Sequence, residues 1–137
     1  MRRQAPVPAP GGAFDADAVW TLFEGRTDRM VQVWRISCST LPVCVAGLES
    51  AVEAGDWANA ARHAHSLAGS AANFGAHALV RTARRIEERA GAGGVPATEV
   101  REARACLDAL SIAMTSWLDR VRGVPGAPAG PGDPLLR

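Results

Sequence analysis

The sequence predicts an all-α protein, an antiparallel up-down four-helix bundle with a short additional N-terminal helix. Apolar residues recur with the helical period over most of the chain. Sustained alternation of apolar and polar residues is missing, and so are the Asn-Gly and Asp-Gly pairs that are typical of β-hairpins. The breaks between the periodic segments are short, and short connections between long amphipathic helices favour antiparallel neighbours.

Five helices follow from this periodicity. A short first helix is predicted over residues 15–23, and a long second helix over residues 28–54. Pro42 lies inside the second helix and should kink it or split it in two, because proline lacks the N–H that an interior position donates. Asp56 is placed to cap the third helix. The last three helices are predicted over residues 57–74, 76–90 and 96–122.

Both ends of the chain are rich in Pro, Gly and Ala, a composition that buries too little surface to order itself. We therefore expect a disordered N-terminal tail over residues 1–12, the bundle over residues 13–122, and a disordered C-terminal tail over residues 123–137. At 137 residues the chain fits one domain.

Composition excludes several classes of function. The formal net charge is only +1, which gives no electrostatic footprint for nucleic acid. We find no signal peptide and no apolar run as long as a membrane span, so we expect a cytoplasmic protein that binds no membrane. We also expect the protein to be a monomer. The three cysteines lack metal-type spacing and are expected to be reduced thiols.

The third predicted helix carries a single histidine on a face of small residues. At about 100° per residue, His65 points well away from the core stripe. Gly69 lies one turn later, and a glycine there leaves space beside the imidazole for a bound group and an approaching partner. We call the residues around His65 the small-residue face and expect a partner protein to dock on it: Ala58, Ala61, Ala68, Gly69 and Ala72.

Residues 64–75 resemble the His-x-Leu-Lys-Gly-(x)5-Gly signature of histidine-containing phosphotransfer (Hpt) domains of two-component phosphorelays. His65, Leu67, Gly69 and Gly75 match the signature, whereas Ala68 stands where the family usually has lysine. The resemblance covers about residues 18–121. It implies that His65 is the phosphoryl acceptor and that Leu67, Ala68, Gly69 and Gly75 shape its surroundings.

The resemblance also implies the partners. They would be the receiver domain of a response regulator, a hybrid sensor histidine kinase, or both, with Mg²⁺ on the receiver domain and no cofactor on this chain. The chain would be a phosphoryl carrier and no enzyme, since it has no Gly-rich phosphate loop or kinase motif. An alternative stays open because of Ala68: a degenerate Hpt-like adaptor that binds a receiver or sensor kinase without phosphotransfer.

Several side chains could support His65. If the third and fourth helices reverse near Gly75, Glu87 could accept a hydrogen bond from His65 Nδ1–H and leave Nε2 as the nucleophile. A glutamate has this role in chemotaxis-type Hpt domains. The alternative is that Glu87 is only a solvated helix residue. In the absence of lysine, Arg62, Arg81 or Arg84 could offset phosphate charge.

The other two histidines are weaker candidates. His63 lies roughly 160° around the helix from His65, so the two rings cannot chelate one metal ion, and no metal site is expected. His77 opens the fourth helix and is predicted to be a surface residue.

Overall fold

The structure, a computed structural model, describes residues 3–123, which contain five α-helices. They are α1 (Ala16–Leu22), α2 (Thr27–Glu53), α3 (Trp57–Ala72), α4 (His77–Gly91) and α5 (Ala97–Arg122). No strand occurs in this part of the chain. The fold class predicted from the sequence is therefore confirmed. The predicted C-terminal tail lies outside the described residues, apart from Gly123.

Helices α2 to α5 form the bundle. Each of them packs against two others: α3 contacts α2 and α4, and α5 closes the ring by contacting α4 and α2. Their apolar stripes meet in one core, where the largest fully buried side chains include Trp117, Phe74 and Met30. Trp34 of α2 also meets Phe74 edge to face, with ring centroids 5.1 Å apart. This contact ties the end of α3 to α2.

Pro42 does not split α2. The helix continues from Thr27 to Glu53 with Pro42 inside it, so of the two expected effects of Pro42, splitting is wrong. Proline at this position removes the N–H that would bond to the carbonyl of Cys38. Because Cys38 is exposed, water can bind that carbonyl, and the bundle contacts on both sides of Pro42 keep the helix continuous.

The N-terminal segment is ordered, which differs from the expectation for residues 1–12. From Arg3 onward it follows α1 and α5, and it contains a short 3-10 turn over Pro10–Gly12. The amide of Ala5 donates to Asp17 Oδ1 at 2.7 Å, and the indole Nε1 of Trp117 donates to the carbonyl of Val7 at 2.7 Å. These bonds and the packing of Val7 and Ala9 on the core hold the segment in place.

Helix α2 is long and apolar enough to cross a membrane by length and composition alone. The expectation that no segment reaches that length is thus wrong. The core helix of a soluble bundle meets the same criterion, and Met30, Leu41 and Leu48 of α2 are fully buried in the core. Its exposed side includes Ile36 and Val43, which are 68% and 67% exposed.

Candidate functional site

His65 lies in the middle of α3, on its solvent side. The buried side of α3 is made by Ala60, Ala64, Leu67, Ala68 and Ala71. The His65 side chain is 72% exposed and faces away from that stripe. The Ser and Asn side chains of α3 lie outside this buried stripe. The imidazole is therefore open to a second molecule while α3 itself is anchored on both sides.

The His65 ring contacts the Glu87 carboxylate on α4. Nδ1 lies 3.1 Å from Oε1 and 3.3 Å from Oε2. An ionised carboxylate offers only acceptors, so Nδ1 must be the protonated nitrogen and the donor. In a neutral imidazole the lone pair then sits on Nε2. The Glu87 side chain is 34% exposed, so the contact is half-shielded from water. The pairing fixes both the tautomer and the orientation of the ring.

The turn between α3 and α4 sets this pairing. Gly75 has φ +59°, a left-handed conformation that glycine adopts without strain. A Cβ on Gly75 would come within 2.7 Å of the Cβ of Asp15. The carbonyl of Gly75 also accepts a hydrogen bond from the amide of Asp15 at 2.9 Å. Gly75 thus allows the chain to reverse, and its carbonyl binds the residue that precedes α1. This turn fixes the position of α4 along the axis of α3.

Gly69 lies on the open side of α3. A Cβ built there would meet no atom within 4 Å, so packing does not require the glycine. Ala58 and Ala72 are exposed, and Ala61 is half-buried. With Gly69 they surround His65 by side chains of one carbon or none. These four residues therefore lie with His65 on the less buried side of α3.

Ala68 does not belong to that exposed surface, which corrects its placement on the small-residue face. It is 1% exposed. The step of three residues from His65 to Ala68 ends about 60° around α3 from His65, toward the buried stripe. Leu67 is also fully buried and contributes to the core. The small-residue face as it exists is formed by Ala58, Ala61, Gly69 and Ala72.

The three candidate arginines lie in different places. Arg62 is exposed, and its Nη2 donates to Asn59 Oδ1 at 2.7 Å, one turn further from His65. Burial raises the pKa of the Cys106 thiol on α5, and a Thr82 hydrogen bond and the guanidinium groups of Arg81 and Arg85 oppose that rise. The charge of Arg81 therefore influences the Cys106 thiol on α5. Arg84 is exposed one turn before Glu87, on the side of α4 nearer His65.

The other histidines have contacts of their own. The His63 ring packs on Gly47 of α2, where a Cβ would lie 2.7 Å from its Cε1. His77 Nε2 lies 3.5 Å from Asp15 Oδ2, and its side chain is 65% exposed. Sequence reasoning missed the role of Gly47, although a glycine inside a helical pattern is a recognised sign of close packing. Among residues 3–123 no three His, Cys, Asp or Glu side chains are grouped so as to hold a metal ion.

A family model, described as "Hpt domain", matches residues 32–113, which is more than half of the chain. The chain belongs to the Hpt domain family. No curated protein and no solved structure matches this chain. The matched segment contains α3 and α4 complete, with His65, Gly69, Gly75 and Glu87.

Membership places the protein in a functional class. Hpt domains are phosphotransfer carriers of two-component signalling and are generally not enzymes. They interact with receiver domains in phosphorelays, and the family is generally soluble. An exposed histidine on a helix, with one ring nitrogen bound and the other free, is an arrangement that can do this chemistry.

Proposed function

We propose that this Hpt protein carries a phosphoryl group on His65 Nε2 between aspartate-bearing receiver domains of a phosphorelay. The observation that carries the proposal is the contact of His65 Nδ1 with Glu87 at 3.1 Å, on a ring that is 72% exposed. It leaves Nε2 as a free nucleophile in a position that a second protein can reach.

The transfer step follows from that tautomer. The Nε2 lone pair attacks the phosphorus of a receiver's aspartyl phosphate in line with the leaving oxygen. An N–P bond forms, the P–O bond to aspartate breaks, and its electron pair returns to the aspartate carboxylate. The positive charge that develops on the imidazole is stabilised by the Glu87 carboxylate through the Nδ1 proton. Transfer to a second receiver is the reverse reaction.

Docking uses the small-residue face. With side chains no larger than a methyl group at Ala58, Ala61, Gly69 and Ala72, a receiver can bring its phosphorylated aspartate up to the imidazole without a clash. The partner is a response regulator's receiver domain, a hybrid sensor histidine kinase or both. The Mg²⁺ that stabilises the transferring group belongs to the receiver. We place the carrier in the cytoplasm as a monomer.

An adaptor without phosphotransfer is the second candidate, and one observation favours it. Alanine stands at position 68, where the family usually has lysine, so a positive charge near His65 is missing. Such a protein would bind a receiver and leave its aspartyl phosphate in place.

Labelling with phosphoramidate tests whether His65 is activated, without any need for the cognate receiver. His77 is an internal control, since its side chain is 65% exposed and so is similarly accessible. We expect mass spectrometry to find acid-labile, base-stable phosphate on His65 well before His77. His65→Gln should lose this early label. Equal labelling of the two histidines, or unchanged early labelling in His65→Gln, would overturn the proposal.

A phosphorylated receiver domain separates the carrier from the adaptor. The carrier takes label from the receiver onto His65 when the two are mixed, and His65→Gln does not. The adaptor forms a complex, measurable by titration calorimetry, and no label moves.

A further inference from the structure

One arginine on α4, Arg84, has no polar contact that would stabilise the described part of the fold. Arg84 is exposed on α4, and within residues 3–123 its guanidinium makes no ion pair or hydrogen bond. Its neighbours on α4 are engaged: Arg85 pairs with Glu99 and Glu102 of α5, and Arg89 pairs with Glu99 at 2.7 Å. Arg84 is thus a cation without an ion pair or hydrogen bond in the described part of the chain, on the helix that carries Glu87.

The register places Arg84 at the height of His65. His65 lies seven residues before the end of α3 at Ala72, and Arg84 lies seven residues after the start of α4 at His77. Since the helices are antiparallel about Gly75, the two residues are level. Arg84 is also one turn from Glu87, whose carboxylate contacts the ring. We therefore expect the long arginine side chain, which has no ion-pair or hydrogen-bond partner within residues 3–123, to be able to extend toward the space in front of Nε2.

That space needs a cation once a phosphoryl group is bound. Glu87 places a negative charge at the imidazole. A phosphoryl group on Nε2 adds further negative charge close to that carboxylate. The lysine that the family carries at position 68 is replaced here by an alanine that is 1% exposed. No positive charge therefore comes from that position.

The other two candidate arginines, Arg62 and Arg81, are less well placed than Arg84 to contact a phosphoryl group on His65. The Arg62 guanidinium is held by Asn59, one turn further from His65 on α3. Arg81 is close enough to Cys106 on α5 to affect its thiol.

We infer that Arg84 is the cation that stabilises the phosphoryl group on His65, in place of the lysine that the family has on α3. The inference rests on the proposed function, because it assigns a partner to the phosphoryl group at that site. A guanidinium suits the role, since it donates two parallel hydrogen bonds to phosphate oxygens.

The test compares Arg84→Gln, Arg84→Lys and the control Arg101→Gln, an exposed arginine of α5, with phosphoramidate as the donor and the initial labelling rate of His65 as the readout. We expect Arg84→Gln to label about three- to tenfold more slowly at low salt, the range of a partly exposed charge contact to phosphate. Arg84→Lys should keep most of the rate, and Arg101→Gln should match the unaltered protein. The deficit of Arg84→Gln should shrink in about 1 M salt, where exposed charges are screened within about 3 Å.

The outcomes separate the two proposals. If His65 of the unaltered protein labels no faster than His77, the proposed function fails, and the role of Arg84 falls with it. If His65 labels normally but Arg84→Gln labels as fast as Arg101→Gln, only the role of Arg84 is wrong. An Arg84→Lys protein as slow as Arg84→Gln, or a deficit that persists in 1 M salt, also overturns it, because the effect would not be one of charge.

Discussion

His65 Nδ1 of α3 and Glu87 Oε1 of α4 lie 3.1 Å apart. The contact joins consecutive helices through two residues that lie 22 positions apart in the chain, and neither side chain is needed for the core. His65 is 72% exposed and Glu87 34% exposed. A pair so placed contributes little to stability, since exposed ion pairs are worth about 0–1 kcal/mol. Its consequence is chemical: it decides which ring nitrogen is free.

Glu87→Ala should slow labelling of His65 without unfolding the bundle. The alanine cannot accept the Nδ1 proton or stabilise the charge that develops on the ring, so we expect a rate about three- to tenfold lower, or roughly 1 kcal/mol for a partly exposed charged hydrogen bond. The measurement is phosphoramidate labelling, with Glu88→Ala as the matched control on the next residue. A Glu87→Ala protein that labels like Glu88→Ala would show that the contact has no chemical role.

Gly69 should be required for transfer and dispensable for folding. Because a Cβ there meets no atom within 4 Å, Gly69→Ala should raise the free energy of unfolding by roughly 0.5–1 kcal/mol through helix propensity alone. Gly69→Leu should fold as well but lose most of the transfer rate from a phosphorylated receiver, because its side chain fills the docking surface beside His65. Urea denaturation and receiver assays check the two parts. Unfolding of Gly69→Leu would mean that α3 is turned differently.

Ala68→Lys should cost stability and speed labelling. The position is 1% exposed, so the lysine stem must displace packed atoms around it, at a cost of roughly 1–3 kcal/mol. Its ammonium group can still extend toward solvent near His65, where an added charge should raise the labelling rate about two- to fivefold.

Ala72→Lys is the matched control for Ala68→Lys, since Ala72 is exposed on the same helix. It should leave the free energy of unfolding within about 0.5 kcal/mol. An Ala68→Lys protein as stable as Ala72→Lys would contradict the burial of Ala68. Slower labelling would show that a lysine at this position does not help the phosphoryl group.

Removal of residues 1–9 should destabilise the bundle. Trp117 is fully buried, and its indole Nε1 donates a hydrogen bond to the carbonyl of Val7. Loss of that acceptor and of the packing of Val7 should cost roughly 2–3 kcal/mol. Urea denaturation followed by tryptophan fluorescence measures it, with Gln4→Ala, an exposed site in the same segment, as the control. An unchanged midpoint would restore the expectation of a disordered tail.

The periodicity of the sequence predicts the helices well, because each helix buries one continuous stripe of apolar residues. Predicted and observed ends differ by two residues or fewer in all five helices. The contact of Glu87 with His65 was also within reach, since it depends only on the turn at Gly75 and the antiparallel register.

The features that the sequence did not reveal all depend on contacts between distant segments. The N-terminal segment is ordered because Val7 and Ala5 bond to Trp117 and Asp17, and composition alone cannot report such partners. Ala68 is buried because the neighbouring helices cover a wider part of α3 than a single stripe suggests. The packing of His63 on Gly47 likewise requires knowing which helix lies beside α3.

The position of phosphorus on the His65 ring tests the central claim most directly. Heteronuclear NMR of the ¹⁵N-labelled, phosphorylated protein distinguishes a phosphate on Nε2 from one on Nδ1 through the coupling of phosphorus to the ring nitrogens. Because Nδ1 is bound to Glu87, we predict a phosphohistidine at His65 with phosphorus on Nε2. Phosphorus on Nδ1, or on a histidine other than His65, would contradict the proposed role of the His65–Glu87 pair.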